Sequence, residues 1–174
     1  MIDFNEHFVE DNNLLSIDNR GFNYGDALFE TIKVSHGKLL FWEDHYFRLM
    51  ASMRIMRMEI PMKFTLEFLE DQIQKLLKSN QMHNVSSRVK LMVYRKAGGL
   101  YLPSTNAVGF AITANKLEDD FYLIKNNTYE VDLFKDLYVS PSLLSTLKTN
   151  NKAINVIGSI YANENKLQNC LLLN

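Results

Sequence analysis

Apolar and polar positions along this chain alternate with two different periods, and their order predicts the elements. Phe29 to Val34 and Lys38 to Trp42 read as two strands of a hairpin, with His36-Gly37 between them and Gly37 supplying the turn. From Glu43 to Met58 the apolar positions Tyr46, Leu49, Met50, Met53 and Met56 recur at helical spacing. Acidic residues open this segment, where the helix dipole favours them, and Pro61 marks its end. Thr65 is a suitable N-cap for a second helix with the stripe Leu66, Leu69, Ile73, Leu76 and Leu77, closed by Ser79-Asn80.

The period then returns to two. Arg88 to Tyr94 sets Arg88, Lys90, Met92 and Tyr94 on one face and Val89, Leu91 and Val93 on the other, so one face of a half-buried strand carries two cations. Gly98-Gly99 and Pro103 interrupt the pattern, and Val108 to Ala114 forms a further strand. These elements predict an α+β fold: a small two-layer N-terminal domain over residues 1–114, a polar linker over 115–125, and the start of a second, mainly β domain over 126–174. In the second domain Tyr129 to Leu133 and Leu137 to Ser140 are strand candidates. A helix starting near Asn150 or Asn151 would align Ala153, Val156, Ile157, Ile160 and Tyr161. The final run, Asn169 to Asn174, is strand-like with no strand after it to pair with. The second domain is therefore expected to be incomplete in this sequence.

Composition narrows the class. The chain has 174 residues, 47% hydrophobic and 22% charged, with a formal net charge of −1 and both signs interspersed. That balance offers no broad attraction to nucleic acid or an anionic membrane, so any anion must be held locally. Residues 1–10 carry acidic residues and no basic stretch before an apolar run, and no later run is long enough to span a bilayer. A cytoplasmic protein is expected. The lone Cys170 excludes an internal disulfide framework and, beside Leu171 to Leu173, reads as a small hydrophobe. The four histidines show no metal-ligand spacing.

Lys148 is the candidate for covalent chemistry. It stands in a polar turn before the predicted helix, where the helix N-terminus would favour a neutral amine able to form an imine with an aldehyde. By itself such a lysine is usually a solvated residue, and Lys152 could be mistaken for it. The companion segments Arg20 to Thr31 (RGFNYGDALFET), His45-Tyr46-Phe47-Arg48-Leu49 and Leu147-Lys148-Thr149-Asn150 change that reading. In this order and spacing they resemble the class IV aminotransferases, the pyridoxal-phosphate family that includes branched-chain and D-amino acid transaminases and aminodeoxychorismate lyase.

The resemblance spans nearly the whole chain and implies roles. Lys148 would be the Schiff-base lysine for pyridoxal 5'-phosphate, and Arg48 would hold the cofactor phosphate. Tyr24 would line the substrate pocket, and Arg88, Lys90 and Arg95 would stand near the groups that hold a substrate carboxylate. Read from the residues alone, Arg48 could equally be a surface arginine paired with Asp44 or Ser52, and Tyr24 a buried aromatic beside a glycine turn. Lys33 is expected to be solvated. The family's glutamate at the pyridine nitrogen and its second phosphate-binding turn both fall downstream of the lysine, beyond Asn174. The implied activity is a transamination of a small amino acid and 2-oxo acid pair, of branched-chain type. The alternatives are 4-amino-4-deoxychorismate lyase chemistry and a non-catalytic binding or dimerisation module. A homodimer is implied.

Overall fold

The computed structural model describes residues 1–10, 14–120 and 128–174. The chain divides into two compact units, one of Met1–Phe121 with Lys148–Asn150 and one of Tyr122–Leu147 with Asn151–Asn174. In the first unit six strands, β1 (Ile2–Phe4), β2 (His7–Val9), β3 (Ala27–Ser35), β4 (Lys38–Leu39), β5 (Ser87–Arg95) and β6 (Val108–Lys116), form an antiparallel sheet in the order β2-β1-β6-β5-β3-β4. Alternation divides its two faces. Leu28, Ile32 and Val34 of β3, Val89, Leu91 and Val93 of β5, and Phe110 and Ile112 of β6 are all buried. The helices α2 (Trp42–Ile55) and α3 (Leu66–Ser79) complete that core with Leu49, Met53, Leu69, Ile73, Leu76 and Leu77. A single turn of helix, α1 (Arg20–Asn23), leads into β3.

Several boundaries follow the sequence reading closely. Thr65 caps α3 by accepting a hydrogen bond from the Phe68 N–H (3.1 Å), and His36 and Gly37 both take positive φ in the hairpin turn. Others differ. β4 is only two residues long, because Phe41 adopts a left-handed conformation (φ 54°) and Trp42 already begins α2. β6 runs past the expected boundary at Ala114, with Asn115 and Lys116 pairing with Arg88 and Ser87. Of the expected linker, residues 121–125 lie outside the described residues. The β1–β2 hairpin has no counterpart in the sequence reading. Its turn is Asn5-Glu6, both at positive φ (53° and 72°), with none of the glycine that usually signals such a turn.

In the second unit β7 (Val131–Tyr138) and β8 (Asn169–Leu173) pair in parallel, connected through a 3-10 turn (Leu143–Thr146) and α4 (Ala153–Glu164). The two expected strands 129–133 and 137–140 are one strand with an irregularity between Phe134 and Tyr138. The terminal run, expected to lack a partner, finds one upstream instead, because a helical crossover lets strands distant in sequence lie side by side. α4 begins later than expected, with Lys152 at its N-cap. Its packed side is Gly158 and Ala162, whereas Val156, Ile157 and Ile160 of the expected stripe are exposed. Gly158 permits the close approach to β8: a Cβ there would stand 2.9 Å from Leu172 Cδ2 and 3.0 Å from Cys170 Sγ.

Candidate active site

Short β4 leaves most of one edge of β3 without a strand, since it pairs only with Val34 and Ser35. The segment Lys148–Asn150 occupies that edge. The Phe29 N–H donates to the Lys148 carbonyl (2.9 Å), the Asn150 N–H donates to the Ala27 carbonyl (3.0 Å), and Leu28 and Thr149 form an antiparallel bridge. Lys148 is thus held in extended backbone upstream of α4, which starts at Ala153. What surrounds its side chain is an aromatic face, with Lys148 Nζ 4.8 Å from the centroid of Phe29 and Lys90 Nζ 4.9 Å from the same ring. Among the described residues the Lys148 amine makes no hydrogen bond or ion pair. Asn150 Nδ2 reaches Met92 Sδ at 3.6 Å.

These side chains leave the sheet on the face opposite the helices. Register places Phe29 beside Met92, Thr31 beside Lys90 and Lys33 beside Arg88, and all six are half-buried or exposed. The structure therefore brings Lys90, Arg88 and Lys148 to one open face carrying three cations, and Lys33 adds a fourth. Arg95 is not among them. It stands seven positions after Arg88, so strand alternation turns it to the opposite face, and only 5% of it is exposed. Its Nε donates to Asp26 Oδ2 (2.8 Å), Nη1 to Asn106 Oδ1 (2.5 Å) and the Arg57 carbonyl (3.2 Å), and Nη2 to the Met56 carbonyl (2.6 Å). Arg20 shares the same carboxylate oxygen (2.9 Å) and gathers the carbonyls of Gly98, Gly99 and Leu100 on Nη1. Two buried guanidinium groups thus tie strand ends and a loop around one aspartate.

Arg48 stands on α2 with its side chain half exposed. Its partner is Glu30, not Asp44 or Ser52: Nε donates to Oε1 (2.7 Å) and Nη2 to Oε2 (2.5 Å) in a bidentate fork. His45 Nδ1 lies 2.8 Å from Glu30 Oε2. The hydrogen bonds that Arg48 donates to Glu30 raise its pKa above its ordinary value, so the guanidinium is held charged. Its Nη1 has no partner among the described residues. Sequence reasoning missed Glu30, although its position carried a signal. It has the same parity as buried Leu28 and Ile32, and a carboxylate there requires a cation. Glu30 and Phe29 are neighbours on β3, so Arg48 and Lys148 are tied to adjacent residues of one strand from its two faces. Tyr24 is 41% exposed, lies under the Arg20 guanidinium (4.8 Å to the ring centroid) and packs against Tyr101 (5.8 Å between centroids).

The family model described as "Amino-transferase class IV" matches residues 27–174, spanning β3, the Arg48 helix, the open sheet face and Lys148. This chain belongs to the class IV aminotransferases. A D-alanine aminotransferase of Listeria monocytogenes (serotype 1/2a, strain 10403S) is 27% identical over 178 residues, covering 96% of this chain and 56% of the relative. A branched-chain aminotransferase of the thermophilic archaeon Thermoproteus uzoniensis, solved with norvaline, superposes with a TM-score of 0.81 at 19% identity, over 99% of this chain and 59% of that one. A putative 4-amino-4-deoxychorismate lyase of Legionella pneumophila gives a TM-score of 0.78 at 20% identity, over 95% and 59%. This class IV chain thus spans a little over half the length of these relatives. Among its described residues no helix is long and apolar enough to cross a membrane.

Proposed function

We propose that this chain is the lysine-bearing part of a pyridoxal 5'-phosphate-dependent aminotransferase that acts on a small amino acid and 2-oxo acid pair, of branched-chain type. The observation that carries the reading is the Lys148 amine, held by backbone pairing on the β3 edge, without a hydrogen bond among the described residues, and on the sheet face that bears Lys90 and Arg88. The donor set fits the cofactor. Lys148 Nζ would hold its carbonyl carbon, and Arg48, fixed by Glu30 through two of its nitrogens, keeps Nη1 for a phosphate oxygen. When bound, pyridoxal phosphate supplies an electron-accepting ring that stabilises negative charge at the substrate α-carbon.

The chain's own residues then have distinct tasks. Lys148 would be the general base that takes the proton from the substrate α-carbon and the acid that delivers it to the carbon that was the cofactor's carbonyl. Arg88 and Lys90, on that face with no ion-pair partner among the described residues, attract and orient the substrate carboxylate, and Tyr24 lines the pocket. Arg95 is left out of this reading because its donors are committed to Asp26, Asn106 and two backbone carbonyls. The enzyme is read as a cytoplasmic homodimer. A D-amino acid as donor is a second reading, supported by the likeness to D-alanine aminotransferases. Aminodeoxychorismate lyase chemistry remains the alternative from the likeness of fold.

The test is incubation with pyridoxal phosphate, borohydride reduction and mass spectrometry. A pyridoxyl group on Lys148 that disappears in Lys148→Ala supports the reading, and assays with L-leucine, D-alanine and aminodeoxychorismate then separate the three activities. A folded chain that takes up no cofactor, or takes it up equally in Lys148→Ala, overturns it in favour of a binding module.

A further inference from the structure

A cavity of about 370 Å³ opens on the helix-covered side of the same sheet and plays no part in that chemistry. Its floor is aromatic: Phe64 and Phe110 meet edge to face with centroids 5.6 Å apart. Phe110 pairs with Val93 on the buried face of β5, so the cavity and the Lys90–Lys148 face lie on opposite sides of the sheet. Its mouth carries Glu59 and Lys96. Both are exposed, and neither side chain has a hydrogen-bond or ion-pair partner among the described residues. Their backbones are set side by side, with the Glu59 N–H donating to the Asn106 carbonyl and the Lys96 N–H to the Ala107 carbonyl, each at 2.9 Å.

This rim is built, not loose. The buried Arg95 binds Asn106 Oδ1 and the carbonyls of Met56 and Arg57, fixing both segments that carry the two charges. On the far wall Asn5 is held three ways. Its N–H donates to the Phe110 carbonyl (3.0 Å), its Oδ1 accepts from the Phe110 N–H (2.7 Å), and its Nδ2 donates to the Tyr94 hydroxyl (3.0 Å). Gly109 makes room for this lock, since a Cβ there would stand 2.8 Å from Asn5 Oδ1. Lys63 and Glu6, also at the rim, pair with each other and neutralise their charges. The two charges left without a counterpart are one cation and one anion above an apolar floor.

We propose that this cavity binds a free α-amino acid with an apolar side chain, its carboxylate on Lys96, its ammonium on Glu59 and its side chain over Phe64 and Phe110. A simple anion or cation would leave one rim charge uncompensated, whereas a zwitterion matches both. The volume falls in the lower part of the range of small-molecule sites, about 300–1,000 Å³. With both charges exposed, the dissociation constant is expected on the order of 1 mM. The proposal does not depend on Lys148 being catalytic.

The experiment is an amide NMR titration with L-phenylalanine on the Lys148→Ala chain, prepared without pyridoxal phosphate so that no substrate can be held through the cofactor. Saturable shifts at Ala107, Val108 and Phe110 are expected. Affinity should weaken by about two- to fivefold in Lys96→Ala and in Glu59→Gln, the scale of an exposed charge pair. Phenethylamine and hydrocinnamate, each lacking one charge, should bind more weakly than the amino acid. Both rim substitutions are at exposed side chains, and the amide spectrum itself reports whether the variant is folded. Absence of shifts, shifts confined to Phe29 and 90–92, or an affinity unchanged in both rim variants would each overturn the proposal. A failure here leaves the pyridoxyl-adduct test of Lys148 unaffected.

Discussion

The two units of this chain solve the problem of burial to very different degrees. In the first, β3, β5, β6, α2 and α3 place most of their large apolar side chains below 5% exposure, including Leu28, Ile32, Met53, Leu69, Ile73 and Leu91. In the second, the buried apolar residues among those described are Phe134, Leu147 and Ala162, while Val131, Leu133, Leu137, Val156, Ile157, Ile160 and Leu171 are all more than 36% exposed. A sheet of two parallel strands with one helix offers few places to hide apolar surface, since parallel strands are usually covered on both faces. The first unit therefore carries its own stability, and with it the candidate site residues, Lys148 included. The second unit has little internal burial to resist local opening.

The largest effect that would break this comparison is expected at Asp26. Asp26→Ala leaves Arg20 and Arg95 buried without their shared carboxylate and should cost about 3–5 kcal/mol in urea unfolding of the first unit. A loss below about 1 kcal/mol would mean that the carbonyls around the two arginines suffice. Next comes a matched pair of core truncations. Leu91→Ala in the first unit should cost about 2–5 kcal/mol and lower the main unfolding transition. Phe134→Ala should instead abolish hydrogen-exchange protection in β7 and β8 while leaving that of β3 and β5 nearly unchanged. Equal loss in both units after either substitution would show that they unfold as one.

Asp3 gives a pH-dependent contrast confined to the first unit. Its side chain is fully buried on β1, Oδ2 has no partner, and burial raises its pKa from 3.8 to about 6 against the opposing bond from the Glu6 N–H. The folded state thus holds a proton that the unfolded chain has already lost between pH 3.8 and about 6, so stability should fall as pH rises through that window and level off above it. Asp3→Asn should remove the slope and stabilise the chain at pH 7.5 by about 2–3 kcal/mol. Urea titrations at pH 5 and pH 7.5 check this, and an unchanged slope in the variant would refute the assignment.

The smallest effects are at helix ends. α2, α3 and α4 each finish in the same motif, with Arg57, Gln81 and Lys166 at positive φ where glycine is usual. The following residue closes a bond back to Met53, Leu77 or Ala162. Arg57→Gly and Lys166→Gly should each gain up to about 1 kcal/mol. The first gain should appear in the melting temperature, and the second only in local exchange of α4.

Much of the first unit was legible in the chain because its signals are local. The stripe of α3, its Thr65 cap, the His36-Gly37 turn and the alternation of β5 require only neighbours in sequence. The family resemblance carried Lys148 and Arg48 into view, where their own surroundings in sequence are ordinary. The β1–β2 hairpin was not legible, because Asn5-Glu6 lacks the glycine that marks such turns and Asp3 hides a polar group in a buried strand. Partners that meet only across the fold were equally out of reach: Glu30 for Arg48, Asp26 for Arg95, and β8 for β7.

The sequence by itself determined which face of each strand and helix is apolar, since side-chain period follows from backbone geometry, and it determined which motifs are present. Only the tertiary structure decided that the backbone of Lys148 closes the β3 edge and that Arg95 is a buried tie. It alone set the side chains of Glu59 and Lys96 at the mouth of a cavity with an aromatic floor. Hydrogen bonds and ion pairs between residues far apart in the chain depend on how the sheet is ordered, and strand order is settled by burial and pairing over the whole unit.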